Sequence, residues 1–279
     1  MFIHRKAKAK RSLFICKELH LHINHIVPPY SLHIALVFLT HSIQKGTRKN
    51  GNSYRTSQHA VRDVVEYCTA HYGKLSFSNG ETLKLIQSRI AGGGYAADGA
   101  SLLDEADFTI ASLRDTSKGS VPGETFIHEL VHQWWGLGNM FDIPEPDSPW
   151  SAEGLTVYTT YRIVKELYGE EYAQTHYIDQ WKQEVDDYYL NFYVRHPKYL
   201  DMLPEGERLR ISNSLSGMRQ YSEMPLKLLK AEQLVGGEEA MDQVLRDLFN
   251  REIDPIYPYL TYDEFLSACA LTEEDLNLE

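Results

Sequence analysis

One eleven-residue stretch, "FIHELVHQWWG" at 126–136, constrains this chain more than any other. At 3.6 residues per turn, His128 and His132 fall on one face of a helix, one turn apart, so both imidazoles can reach a single ion at about 2.0–2.1 Å. Glu129 points beside that ion, where a carboxylate can take a proton from a metal-activated water as general base. Gly136 is a natural stop. The same letters also describe an ordinary buried helix rich in Phe, Ile, Leu, Val and Trp. With 12 histidines in the chain, an accidental HExxH arises on the order of four times in a hundred. The motif therefore needs companions.

A third ligand is the stricter requirement. The metzincin pattern would place it at position 138, which is Gly138, so that class is excluded. Candidate carboxylates downstream are Glu145, Asp147, Glu153 and Glu166. The first two sit in the proline-bearing loop "DIPEPDSP", whereas Glu153 falls in the first turns of the next predicted helix, a rigid element that can aim it back. Glu166 lies toward the far end of that helix.

"HELVHQWWG" followed by "PWSAEGLTVY" resembles the zinc signature of the aminopeptidase N-like metallopeptidases, a gluzincin family in which HExxH with Gln-Trp precedes Trp-x-x-Glu-Gly. The likeness runs over residues 60–250. It implies one Zn2+ ion on His128, His132 and Glu153, with Glu129 as the catalytic base. Twenty residues separate His132 from Glu153, where the family usually has about 18; a loop absorbs two extra residues at small entropic cost. The resemblance continues into "RQYSEMPLKLLK", where it gives Tyr221 the place of a catalytic tyrosine that donates a hydrogen bond to the tetrahedral oxyanion. It also puts "GGYAADGASLL", 93–103, where the family has a substrate-binding Gly-x-Met-Glu-Asn edge strand, so that Gly93, Gly94, Tyr95 and Ala96 would lie along the peptide. Ala96 stands where the amine-binding glutamate would be, so this is a short or divergent member, and aminopeptidase specificity does not carry over.

Charge separates the two ends of the chain. Residues 1–50 carry nine Lys/Arg against Glu18 alone, leaving 19 basic and 38 acidic residues in 51–279. An acidic body repels a nucleic-acid backbone, so nucleic acid is not an expected partner. The most apolar run, "IALVFL", is far short of the roughly 18 residues that span a bilayer. Histidines at 20, 22, 25 and 33 interrupt any signal-like segment. Three widely spaced cysteines (Cys16, Cys68, Cys269) suggest neither a disulfide framework nor a cysteine-rich zinc site.

Periodicity predicts two strands near 19–26 and 31–38, a polar linker over 44–57, and a helix from Ser57 to Gly73 with Val61, Val64, Val65 and Cys68 inward. It further predicts strands at 74–78 and 83–88 about an Asn79-Gly80 turn, and helices over 122–135, 148–169, 171–193, 223–235, 238–251 and 262–275. The expected organisation is a basic head and linker at 1–56, in part disordered or a strand pair, and a metallopeptidase-like domain at 57–279. The fold class is α+β: a thermolysin-like zincin catalytic core followed by an all-helical portion. The expected function is zinc-dependent hydrolysis of peptide bonds in a peptide or protein substrate. The second reading is a catalytically weak or inactive peptidase-like binding or regulatory domain with a membrane transporter as partner, located in the cytoplasm or on the extracytoplasmic face of a membrane assembly.

Overall fold

In a computed structural model of the chain, residues 20–21, 33–38, 50–75, 82–88, 94–104, 124–142 and 150–278 are described. A five-stranded sheet of order β1-β2-β3-β5-β4 forms the first half. β1 (His20–Leu21) pairs antiparallel with β2 (His33–Phe38), and β2 runs parallel to β3 (Thr82–Ser88) with His33 opposite Thr82. A parallel pair needs a crossover, and α1 (Asn50–His71) supplies it. Val61, Val64, Cys68 and Tyr72 of this segment are fully buried, as the helical spacing predicts. The helix begins seven residues before Ser57, because no proline interrupts 50–56 and extending an anchored helix costs little.

Leu83 and Leu85 are buried while Lys84 between them is exposed, the two-residue period of a half-covered strand. β3 also pairs in parallel with β5 (Ala100–Asp104). Both its sides are thus occupied, so the expected hairpin with 74–78 does not form: Lys74 and Leu75 are not in a strand, and 76–81 lie outside the described residues. β4 (Gly94–Ala97) pairs antiparallel with β5 through the two-residue turn Asp98-Gly99 and forms the sheet's last strand.

The described residues that follow are mostly helical. α2 (Glu124–Val131) lies over β4 and β5. α3 (Ala152–Tyr168) is capped by Ser151, whose hydroxyl accepts from the Glu153 amide at 3.1 Å. That start is later than the expected Ser148, because Ser151 is fully extended (φ −159°, ψ 172°) and breaks any helix running in from upstream. α4 (Glu170–Ala173) and α5 (Asp179–Leu190) follow, joined by the π-helical turn Gln174–Ile178. Then come α6 (Phe192–Arg195), α7 (Pro197–Leu200) and α8 (Glu205–Met218), the last two not foreseen from periodicity. A second π-helical turn, Arg219–Glu223, leads into α9 (Met224–Val235); α10 (Glu238–Phe249) and α11 (Tyr262–Cys269) complete the set. α11 opens with a capping box between Thr261 and Glu264 and stops short of 275, with Ala270 left-handed. Among the described residues, no helix is long and apolar enough to cross a membrane.

Candidate metal centre

α2 buries Phe126, Ile127, Leu130 and Val131 against the sheet, which turns His128 toward α3. Beyond Val131 the backbone tightens into three-residue bonds, Gln133 N to Leu130 O at 3.0 Å and Trp134 N to Val131 O at 2.8 Å, and Gly136 ends the segment with φ +93°. Trp134 and Trp135 are fully buried and anchored through their indole N–H groups, to the Gly73 carbonyl (2.9 Å) and Thr159 Oγ1 (3.0 Å). They fix the turn that carries His132.

Three ligand-type atoms converge here. Nε2 of His128 and Nε2 of His132 are 3.1 Å apart, and Glu153 Oε2 lies 3.1 Å from the first and 3.4 Å from the second. Zinc ligands at about 2.0–2.1 Å and tetrahedral angles stand about 3.3 Å from one another, so this donor set fits the ion. The tautomer agrees. His132 Nδ1 faces the Trp135 carbonyl at 3.2 Å, and a carbonyl can only accept, so the ring proton sits on Nδ1 and Nε2 keeps its lone pair. Thr156 Oγ1, 3.1 Å from the same Nδ1, holds the ring from α3.

The charges are coupled. Burial lowers the His128 pKa against the opposing pull of Glu153. Burial also works against charging His132, but the hydrogen bond and charge of Glu153, with the charge of Glu129, outweigh it and leave that pKa raised. Burial alone would raise the Glu153 carboxyl; the two histidines hold it well below the usual carboxylate range. Lone pairs crowded this closely repel unless a proton or cation sits among them.

Glu129 is buried on the same helix. A Cβ built on Gly94 of β4 would come within 2.1 Å of Glu129 Cγ, so only glycine lets the edge strand approach the carboxylate this closely. Gly94 and Ala96 share the face of β4 whose β5 partners are Leu103 and Ser101, both buried; Ser101 Oγ donates to the Glu129 carbonyl at 2.8 Å. The alanine position thus looks toward the metal helix, and Tyr95, 62% exposed, looks away. Gly93 lies outside the described residues, as do Glu145 and Asp147. Glu166 is thirteen residues beyond Glu153 on α3, about 20 Å along the axis.

Tyr221 reaches the site from the second π-helical turn, its ring stacked on His128 with centroids 6.3 Å apart. Burial, then its hydrogen bond to the Glu153 carboxylate, pushes its pKa up, so the phenol keeps its proton. Gly154 lets α9 press onto α3: a Cβ there would meet Met224 Cγ at 2.5 Å. Farther along α3, buried Arg162 ties that helix to Glu232 of α9 (3.2 Å) and Asp242 of α10 (3.3 Å). The aromatic segment 177–199 packs on the turn that carries Tyr221, where the Tyr189 hydroxyl donates to Glu223 at 3.3 Å, and it reaches the start of α2 through Tyr177, whose hydroxyl donates to Glu124 at 3.0 Å.

His128, His132 and Glu153 therefore form a group that could hold a metal ion, the sole such group among the described residues. No protein-family model matches the chain. In sequence it is 31% identical to leukotriene A-4 hydrolase of Xenopus laevis over 112 residues, 40% of this chain and 18% of that protein. It is 36% identical to leucine aminopeptidase 2 of Emericella nidulans over 75 residues, 27% of this chain and 12% of that one. Its fold superposes on the crystal structure of an M1 zinc metallopeptidase from Deinococcus radiodurans with a TM-score of 0.53, at 14% identity, covering 94% of this chain and 50% of that one. The fold is that of the M1 zinc metallopeptidases. The family resemblance and the α+β class with a helical portion are thereby borne out. The chain spans half or less of the length of these M1-like relatives. None of the three carries a membrane partner in its name, and that expectation gains no support.

Four groups at the centre were not singled out in the sequence: Thr156, the Trp135 carbonyl, Ser101 and Gln133. Thr156 had a readable signal, since it lies three residues after Glu153 and so on the same face of α3.

Proposed function

We infer that the protein is a zinc-dependent peptidase, hydrolysing peptide bonds in a peptide or protein substrate. The observation that carries this is the convergence of His128 Nε2, His132 Nε2 and Glu153 Oε2 within 3.4 Å. The three atoms would hold one zinc ion, which when bound supplies a Lewis acid and brings the pKa of a neighbouring water from about 15.7 toward 7. Glu129, oriented by the backbone of Gly94, receives the proton of the attacking water and returns it to the departing amine. Tyr221 donates a hydrogen bond from its phenol to the carbonyl oxygen as charge develops there.

Among the described residues, β4 is the sheet's edge. The closing pair of a two-residue hairpin, Ala97 and Ala100, turns its backbone groups inward, so alternation leaves those of Gly94 and Ala96 facing outward. An extended peptide adds as a further strand along Gly93, Gly94, Tyr95 and Ala96, beside Glu129. Ala96 offers no carboxylate to a free amino terminus, so the reading does not require an amino-terminal substrate.

The test is zinc content followed by hydrolysis of acetyl-blocked and free-amine peptides by the unmodified protein and by Glu129→Gln. The expected result is one zinc per chain, cleavage of blocked peptides, and near-complete loss in Glu129→Gln with zinc retained. Full zinc with neither peptide cleaved overturns the enzymatic reading in favour of a peptidase-like binding domain. Cleavage confined to free-amine peptides would show that another group replaces the missing glutamate.

A further inference from the structure

Gln133 follows His132 directly and is 2% exposed. Its side chain ends at the β4–β5 turn. Oε1 accepts from the Gly99 amide at 3.1 Å, while Nε2 donates to the carbonyls of Ala97 at 3.1 Å and Ala100 at 3.2 Å, with Ser101 Oγ at 3.5 Å. One amide on the last turn of the metal helix thus grips both strands of the hairpin where they meet. A primary amide has two N–H donors and a carbonyl acceptor, and here all are engaged.

We propose that Gln133 is a positioning residue that sets the edge strand β4 against the metal helix, and so governs how tightly an extended peptide docks rather than how fast its bond breaks. The proposal rests on the hydrolytic reading above. β4 is held by a strand on one side alone among the described residues, so its place relative to Glu129 depends on what ties the hairpin to α2 and the turn after it. Two side chains supply such ties, Ser101 to the Glu129 carbonyl and Gln133 to the turn. Serine fixes the middle of the hairpin; glutamine fixes its turn. Without the second, the strand can pivot about the first, and the outward backbone groups of Gly94 and Ala96 lose their common aim.

The test uses two replacements. Gln133→Glu keeps the shape and the acceptor for Gly99 but turns both donor contacts into repulsions with the Ala97 and Ala100 carbonyls. Gln133→Leu removes all the bonds, and where it fails to fold the glutamate variant carries the test. Three quantities are measured on the full chain: zinc content, amide hydrogen exchange over 94–101, and binding of a blocked octapeptide in the Glu129→Gln background. KM and kcat for the same octapeptide are measured with Glu129 intact. With zinc content unchanged, the amides of the closing pair, Ala97 and Ala100, should exchange faster, and Kd and KM should rise about tenfold, the effect of losing two modest hydrogen bonds. kcat should stay within about threefold, the pattern of a lost uniform binding interaction. Exchange and Kd at parental values overturn the proposal, and so does a loss carried by kcat with KM unmoved. If the parent hydrolyses nothing, the hydrolytic reading falls by itself, while exchange and Kd still decide the place of Gln133.

Discussion

Thr156 Oγ1 lies 3.1 Å from Nδ1 of His132, on the side of the ring away from the metal-facing nitrogen. α3 therefore supplies both a candidate ligand, Glu153, and the hydroxyl that aims another, His132, one turn later on the same face. Thr156→Val keeps the volume and removes the hydroxyl, leaving the Trp135 carbonyl as the remaining partner of Nδ1. Zinc affinity, read by competition with a chromogenic chelator, should fall about tenfold, the lower end of what losing such an outer partner costs. Affinity equal to the parent would show that the carbonyl alone orients the ring.

Gly94→Ala addresses the contact between the edge strand and the base. Its methyl group would fall 2.1 Å from Glu129 Cγ, so either the strand or the carboxylate must move. Overpacking of this kind costs about 1–3 kcal/mol of stability. kcat should fall at least about tenfold, since misplacing a reacting group by an ångström can cost a hundredfold. Zinc content should be unchanged, because the methyl meets Glu129, which is not one of the three metal-ligand candidates. A variant with parental kcat would separate Gly94 from catalysis.

What the sequence made legible follows from where each signal resides. HExxH and Glu153 could be read because their geometry is set by helical spacing and one nearby helix. Val61, Val64 and Cys68 could be read because a buried stripe repeats every turn. α8 could not: none of its residues from Glu205 to Met218 is buried, so no apolar stripe marks it. The Asn79-Gly80 turn gave a local hairpin signal, yet Leu83 and Leu85 pair with strands about 50 residues before and 15 after them in sequence, β2 and β5. Gln133 was visible as the glutamine of the Gln-Trp that follows HExxH, with no role attached to it. Its partners are the carbonyls and amide of a turn more than 30 residues away, and backbone groups leave no mark in sequence.

The charged cluster behind α3 carries a pH signature. Burial would raise the Glu238 carboxyl, but the hydrogen bond from Lys165, at 2.7 Å, and the charges of Arg162 and Lys165 outweigh it and leave its pKa lowered. A folded pKa below the unfolded value of about 4.3 means stabilisation that is present above that pH and disappears as pH falls through the folded value. The group is 45% exposed, so the magnitude is under about 1 kcal/mol. Glu238→Gln should accordingly lose under about 1 kcal/mol at pH 7 and progressively less as pH falls below about 4.3, in urea unfolding across that range. A difference that grows toward acid would reverse the assignment.

Tyr221→Phe isolates the oxyanion donor from the packing of its ring. The ring stacks on His128 at 6.3 Å and phenylalanine retains that contact, so zinc content and melting temperature should change little. What is lost is the hydroxyl. Burial and the neighbouring Glu153 carboxylate keep its proton on at neutral pH, so in the parent it is a donor throughout the working range. A single such donor to a developing oxyanion contributes about 100- to 1000-fold in kcat. KM should move far less, because the bond forms to charge that exists only in the transition state. A phosphinic peptide, whose tetrahedral centre imitates that state, should lose affinity by a comparable factor. If kcat and inhibitor affinity both stay at parental values, Tyr221 is a packing residue, 43% exposed at the rim of the site, and the oxyanion must be met by another group.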